Sequence, residues 1–506
     1  MTRICVYVVL VALLCSGCNK WMEVLPKQEQ VTPNFWKSKE DVEAVLGASY
    51  LRLRNSVSTL INWGELRAGS VYAFSGLNLR KLQNFQTTPL DDISDWATLY
   101  EVIGMANSVI KYAPDVLQKD ETYLDIVMES HLTEAYFLRA LAHFYLVRNF
   151  KDVPIVTEPY VDDSAPFDIG KSMEREVIEQ IKGDIRTALG SGAAKGFFDI
   201  PDWPGASKGR ATKWALYALM VDVCLWSEDY LTCTAYADSL IHATEARRPA
   251  FMTVREQWFE MFYPGNSNES IFEINWSGEG GLGQTDGSPS GIFSTAADAT
   301  YQYSQSMAER LYAETEQGSV RAEWGAYVDL LNTGRREFRV WKYLGMGFSD
   351  PAAIRPFMDA NWIVYRMADI MLMKAEALIW QGQRNYAEAL ALMNQVRVRA
   401  GLPELALFPE SAEEEEMLNA LFNERDMELA AEGKRWYDLL RFARTANNKY
   451  KAQVIDMIVE ENETGNEQWI RSVLANDYAW YLPILEDELI ANPLLTQNPY
   501  YGGTTN

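Results

Sequence analysis

Two acidic side chains are the first candidates for chemistry. Glu424 and Glu428 stand one helical turn apart, and a carboxylate pair can supply the acid and base of a glycosidase. Their neighbours argue against that work. Arg425, Glu432, Arg435, Asp438 and Arg441 crowd the same stretch, and the i,i+3 spacings Glu432–Arg435 and Asp438–Arg441 favour mutual pairing. Paired carboxylates have lowered pKa values and make poor general acids, so a structural ion network is the expectation. Gly278-x-Gly280-x-x-Gly283 matches the dinucleotide fingerprint, but Gln284 to Gly291 cannot open the helix that would hold a pyrophosphate. The segment reads as a flexible loop. There are three histidines (His131, His143, His242) and no GxSxG elbow, which leaves no Ser–His–Asp set. His143 reads as a packed core histidine, and no metal cluster has the usual close spacings. No catalytic group, metal or cofactor is expected.

Aromatic residues suggest binding instead. The 506 residues include 16 Trp, 26 Tyr and 20 Phe. Most belong to the core, but a flat indole face with a few amide or carboxylate partners suits a sugar. Trp276, at the mouth of a six-glycine stretch (Ser277 to Gly291), and Trp324, in an aperiodic stretch beside Tyr327, are the foremost candidates for exposed ligand contacts. Trp341, Trp203 and Trp96 stand behind them. With 70 acidic against 46 basic residues the net charge is -24, which repels phosphate backbones and excludes nucleic acid as a partner.

At the N-terminus, Met1-Thr2-Arg3 precedes an apolar run from Ile4 to Leu14, too short to span a bilayer comfortably. Ser16-Gly17-Cys18 follows in the manner of a bacterial lipobox, although Cys15 occupies the place where Leu is usual. Cys18 is the expected acylation site and residues 1–17 the signal peptide. Cys224 and Cys233 remain for the folded body. They read as two buried thiols, with a disulfide left open by export.

The elements that must position these groups are helical. Val364, Met367, Met371, Ala375 and Leu378 form one amphipathic stripe, in a helix expected to begin near Trp362 and broken by Gly382. Tyr386, Ala389, Met393, Val396 and Ala400 form the next, stopped by Gly401 and Pro403. Ser411-Ala412-Glu413-Glu414 has a capping-box pattern for a third helix. Ala135, Leu138, Ala142 and Leu146 make an earlier stripe, and Thr212–Trp226 with Leu231–His242 another hairpin around Asp229. Such helical hairpins resemble tetratricopeptide units and would stack into an array. Phe272–Trp276 looks strand-like, and residues 277–360 show no sustained periodicity. Long loops of this kind are functional or mobile.

Taken in order, these stretches resemble the SusD/RagB family of outer-membrane nutrient-binding lipoproteins. The similarity runs from Cys18-Asn19-Lys20-Trp21 and Asn34-Phe35-Trp36 through Trp96 with Leu99-Tyr100, then Arg139-Ala140, Asp152-Val153-Pro154 and Gly209-Arg210-Ala211-Thr212. It is strongest over Tyr365-Arg366-Met367-Ala368-Asp369, Asn394-x-x-Arg397-x-Arg399-Ala400-Gly401-Leu402 and Glu424-Arg425-x-x-Glu428, continuing to Arg435-Trp436-x-Asp438-Leu439. Leu482-Pro483-Ile484 and Asn498-Pro499 close it, while Gly69, Leu485 and Tyr500 depart from the family pattern. The resemblance implies a mainly α fold with four tetratricopeptide-type units and an irregular, loop-rich ligand-binding half. The expected division is residues 18–245 as an N-terminal region and 246–506 as a C-terminal region carrying the insertion at about 270–360. It further implies a surface lipoprotein of the outer membrane, held by acylated Cys18, that captures oligosaccharide or another nutrient for a TonB-dependent transporter without cleaving it. The alternatives are a lipid-anchored glycosidase, which would release hydrolysis products, and a protein-binding scaffold, which would take up no small ligand.

Overall fold

The stripes read from the sequence become buried helix faces in the computed structural model, which describes residues 35–73, 76–160, 168–201, 203, 205–277, 287–293, 301–323, 325–330, 336–347 and 353–502. Counting helices of eight residues or more, the N-terminal half carries α1 (Lys39–Asn55), α2 (Val57–Glu65), α3 (Ala97–Leu117), α4 (Asp125–Phe150), α5 (Glu174–Gly190), α6 (Lys213–Trp226) and α7 (Tyr230–Ile241). The remainder are α8 (Gln305–Thr315), α9 (Met367–Trp380), α10 (Tyr386–Arg399), α11 (Glu414–Glu428), α12 (Arg435–Asn448), α13 (Lys451–Glu461) and α14 (Glu467–Leu474). Consecutive helices pack side by side: α3 on α4, α4 on α5, α6 on α7, and α9 on α10. Contacts of α7 with α9 and of α9 with α11 join these pairs into one helical array of the tetratricopeptide-like kind.

Small residues at the seams explain the close packing. Ala135, Leu138, Ala142 and Leu146 on α4 are fully buried, as are Ala389, Met393 and Val396 on α10. The expected turn at Asp229 joins α6 and α7, and the Asp229 carboxylate caps α7 by accepting from the Thr232 N–H. Cys224 on α6 and Cys233 on α7 are buried free thiols, and burial pushes the Cys224 thiol up to about 12.

Three local expectations need correction. Residues Trp362–Arg366 form a strand, β6, and the helix starts only at Met367. β6 pairs antiparallel with β2 (Ser270–Ile274), and all five residues of each strand are buried. A strand covered on both faces loses the alternation that distinguishes it from a buried helix, and Val364 falls in phase with the stripe of α9. Ser411 does not cap α11, because its N–H closes a turn onto Phe408 O and the helix begins two residues beyond the expected cap, after Glu413. The aperiodic insertion holds ordered elements: β3 (Tyr301–Tyr303) pairs with β1 (Val71–Ala73), and β4 (Ala326–Leu330) pairs with β5 (Arg336–Val340). It also holds α8, capped by Ser304 Oγ accepting from Met307 N–H and anchored by only Met307, Ala308 and Leu311. Three buried residues are too short a stripe to register as a period.

Candidate functional site

The carboxylates of α11 are committed to arginines drawn from distant parts of the chain. Arg399 Nη2 lies 2.6 Å and Arg366 Nη1 2.7 Å from Glu428 Oε1, while Arg321 Nη1 lies 2.5 Å from Glu424 Oε1. Burial alone would raise the Glu428 pKa, but the Arg399, Arg366 and Arg321 guanidiniums outweigh it and hold the carboxyl at about 2. Such a group has no proton to give at neutral pH. The expected pair Asp438–Arg441 forms at 2.8 Å. The expected pair Glu432–Arg435 does not: Glu432 takes Lys342 and Arg366 at 2.8 and 2.9 Å, and Arg435 turns to Asp426 at 3.2 Å. The i,i+3 rule holds only on a continuous helix, and Gly433, at φ +71°, turns the chain between these two residues. His143 is fully buried, with Nδ1 3.0 Å from Arg139 O, and burial lowers its pKa to about 4. Among the described residues no group of three or more His, Cys, Asp and Glu could hold a metal ion.

The tryptophans separate by exposure. Trp276, Trp341 and Trp96 were expected as exposed contacts, yet only 7, 3 and 3 % of their surfaces are open. Position outside a helical stripe does not leave a ring bare when loops fold over it. Trp276 directly follows the buried strand β2, and its N–H donates to Asn361 Oδ1 at 3.1 Å. Trp96 packs on Phe150 and Tyr100, with ring centroids 4.9 and 5.5 Å away, and borders a separate cleft of about 650 Å³ between α1, α3 and the C-terminal residues 488–495. Trp203 is the exception, being 37 % exposed. Trp324 and Cys18 lie outside the described residues, as does the Gly278–Gly283 motif.

Trp203 stands over a pocket of about 200 Å³ lined also by Tyr50, Arg54, Gly209, Phe272 and Asn275. Helix α1 contributes Tyr50 and Arg54 from its last two turns, β2 contributes Phe272, and the chain leaving β2 contributes Asn275. Gly209 forms the floor. A β-carbon there would come within 2.2 Å of Asn275 Nδ2 and 2.5 Å of the Trp203 ring. The Tyr50 hydroxyl is already used, donating to Glu134 Oε2 and accepting from the Ala211 N–H. Asn275 is different: both its amide oxygen and its amide nitrogen are buried with no hydrogen-bond partner among the described residues. A buried amide left unmatched costs about 1–3 kcal/mol, which a ligand carrying both donors and acceptors would recover. The Arg54 guanidinium carbon sits 6.0 Å from the Trp276 ring centroid, at the edge of cation–π range, and so ties the buried indole to the pocket wall. Sequence reasoning brought Trp203 and Trp276 forward but missed Asn275 and Arg54. Asn275 adjoins Trp276 at the mouth of the glycine-rich loop, the one local signal for it, whereas Arg54 reads as an ordinary last-turn helix residue.

Comparison with known proteins identifies the fold and the family. The family described as "Starch-binding associating with outer membrane" matches residues 20–225, and the SusD family matches residues 355–501. SusD-like protein P38 of Formosa agariphila is 28% identical over 482 residues, covering 86% of this chain and 90% of that protein. A laminarin-binding SusD-like protein superposes with a TM-score of 0.69 at 22% identity, over 92% of this chain and 100% of that one. Surface glycan-binding protein A from Bacteroides uniformis does so with a TM-score of 0.71 at 20% identity, over the same shares of the two chains. At these identities the superpositions speak for the fold, while the two family matches take in the early hairpins and the α9–α12 region. The chain belongs to the SusD/RagB family.

Proposed function

We propose that the protein is a lipid-anchored glycan-binding protein of the outer-membrane surface, which captures oligosaccharide and passes it to a TonB-dependent transporter. The observation that carries the binding half of this reading is the pocket beneath Trp203, where an open indole edge meets the unmatched amide of Asn275. Its volume of about 200 Å³ lies below the ~300–1,000 Å³ of sites for drug-sized ligands and suits a single sugar ring of a longer chain. Support also comes from the family description, which associates its members with the outer membrane, and from the laminarin-binding and glycan-binding neighbours. The lipobox at Cys18 supports the anchor, and no helix among the described residues is long and apolar enough to cross a membrane. The transporter half of the reading is supported by the resemblance to outer-membrane nutrient-binding lipoproteins.

Of the five tryptophans, Trp203 is assigned the direct contact. Trp276 backs it through Arg54, Trp324 is retained as a second contact, and Trp341 and Trp96 support the fold. The test is calorimetry of the mature chain against laminari-oligosaccharides and a glycan array, with Trp203→Ala and Asn275→Ala alongside. Both variants are expected to lose at least tenfold in affinity for a glycan the wild type binds. Unchanged affinity in both would remove the pocket from the reading. A glycosidase would release products from the same incubation, and the Glu428 carboxyl, held at about 2, argues against that alternative at this pair.

A further inference from the structure

The Asn275 amide beneath Trp203 leaves both its oxygen and its nitrogen buried and unmatched, and a fold keeps such a group only at a cost in stability. We propose that the pocket selects a sugar unit with two free hydroxyls on adjacent ring carbons, so that it takes 4-linked or 6-linked hexose chains and rejects the interior of 3-linked ones. The proposal rests on the glycan-binding reading above and names the substrate class of that same site.

Among the lining residues, Leu51, Leu53, Phe272 and Ile274 are apolar, and the Tyr50 hydroxyl is engaged by Glu134 and by the Ala211 N–H. Trp203 and Asn275 converge on Gly209, where a β-carbon would lie 2.2 Å from Asn275 Nδ2 and 2.5 Å from the Trp203 ring. A pyranose laid on the exposed indole turns its rim of hydroxyls toward that amide. A side-chain amide carries an acceptor oxygen and a donor nitrogen side by side, and its plane turns broadly about χ2. Two hydroxyls on adjacent carbons match it, one donating to Oδ1 and the other accepting from Nδ2. A lone hydroxyl meets one of these atoms and leaves the other buried and unpaired. Sites built on buried polar groups reject a ligand lacking the matching hydroxyl far more strongly than an apolar pocket rejects a missing methylene. Linkage decides which units qualify. A 4-linked hexopyranose keeps its 2- and 3-hydroxyls free, and a 6-linked one keeps the 4-hydroxyl as well. An interior 3-linked unit has free hydroxyls only on either side of the linkage carbon, with no adjacent pair on the ring. A volume of about 200 Å³ holds one unit, so a second ring in the pocket cannot supply the missing partner.

The experiment uses the mature full-length chain and calorimetry. The probes are hexaoses in matched pairs that differ only in linkage: 4-linked and 3-linked oligomers of β-glucose, of mannose and of galactose. In at least one pair the 4-linked hexaose is expected to bind at least tenfold tighter, since the 3-linked one offers an adjacent pair only at its ends. Asn275→Leu keeps the approximate shape and removes both polar atoms. It should bring the two linkages to within about threefold of each other at no cost in melting temperature, because an unmatched amide contributes nothing to the fold. Asn275→Ala should show the same loss of preference. Equal affinity within every pair that binds, tighter binding of the 3-linked member, or a preference that survives Asn275→Leu overturns the inference. If glycans bind without a linkage preference, glycan capture stands and only this assignment falls. If no glycan binds in any arm, both readings fall.

Discussion

At the scale of single residues, the protein separates groups that hold the fold from groups that meet a ligand. Glu428 belongs to the first kind. Its carboxylate answers Arg399 and Arg366 directly, and Glu428→Gln leaves those buried guanidiniums short of charge. Removing one partner of a buried pair costs about 3–5 kcal/mol, so a large drop in denaturation midpoint is expected with glycan affinity unchanged. Lost binding at an unchanged melting temperature would show instead that a site lies there. Glu65 sets a pH dependence of the opposite sense. Burial, reinforced by Asp426, pushes its carboxyl up to about 8 despite the N–H groups of Gly433 and Lys434 that donate to it. Unfolded, a Glu titrates at about 4.3. Between those values the folded state holds the proton that the unfolded state has lost, so this group's contribution falls as pH rises toward 8. Glu65→Gln should flatten the decline in melting temperature between pH 5 and 8, and a wild-type slope in the variant would contradict the assignment. Glu428 and Asp369, both held at about 2, act the other way: their contribution is full above the unfolded carboxyl pKa and is lost as pH falls toward 2.

At the scale of elements, the ion network and the pocket are each assembled from pieces with little shape of their own. Arg321 comes from the short helix Val320–Glu323, Arg366 from the end of β6 and Arg399 from the end of α10, and all three converge on α11. The pocket is a meeting of α1, the chain before α6, and the end of β2, with Gly209 as the point of closest approach. Gly209→Ala is therefore expected to displace Asn275 and Trp203 and to weaken glycan binding at least tenfold. Circular dichroism should show the helices intact, because Gly209 ends a four-residue helix that packs chiefly on β2. Wild-type affinity in this variant would mean that the floor of the pocket does not set its shape.

At the scale of the whole molecule, function depends on where the chain is held and on what it sits against. Cys18→Ala should leave a protein that no longer fractionates with the outer membrane; continued labelling by palmitate in that variant would place the anchor elsewhere. Gentle detergent extraction of the wild type from its own cells should co-isolate a TonB-dependent barrel. Recovery of the protein alone at native expression would count against the delivery role.

What the sequence determined by itself was local and periodic. The stripes of α4, α9 and α10 were legible because a helix that buries one face must repeat its apolar residues every three or four positions. The turn at Asp229 and the ion pair Asp438–Arg441 were legible for similar reasons, since residues close in sequence constrain one another directly. Tertiary structure alone decided the rest. It turned Trp362–Arg366 into a strand by pairing it with β2 and burying both of its faces, which erased the alternation a half-exposed strand would show. It chose Lys342 and Arg366 over Arg435 as the partners of Glu432. It buried Trp276, left Trp203 open, and brought Arg54 and Asn275 into one pocket from opposite halves of the chain. Periodicity reports which face of an element is covered, but the identity of the covering group is set by contacts between residues hundreds of positions apart, and no local pattern encodes those.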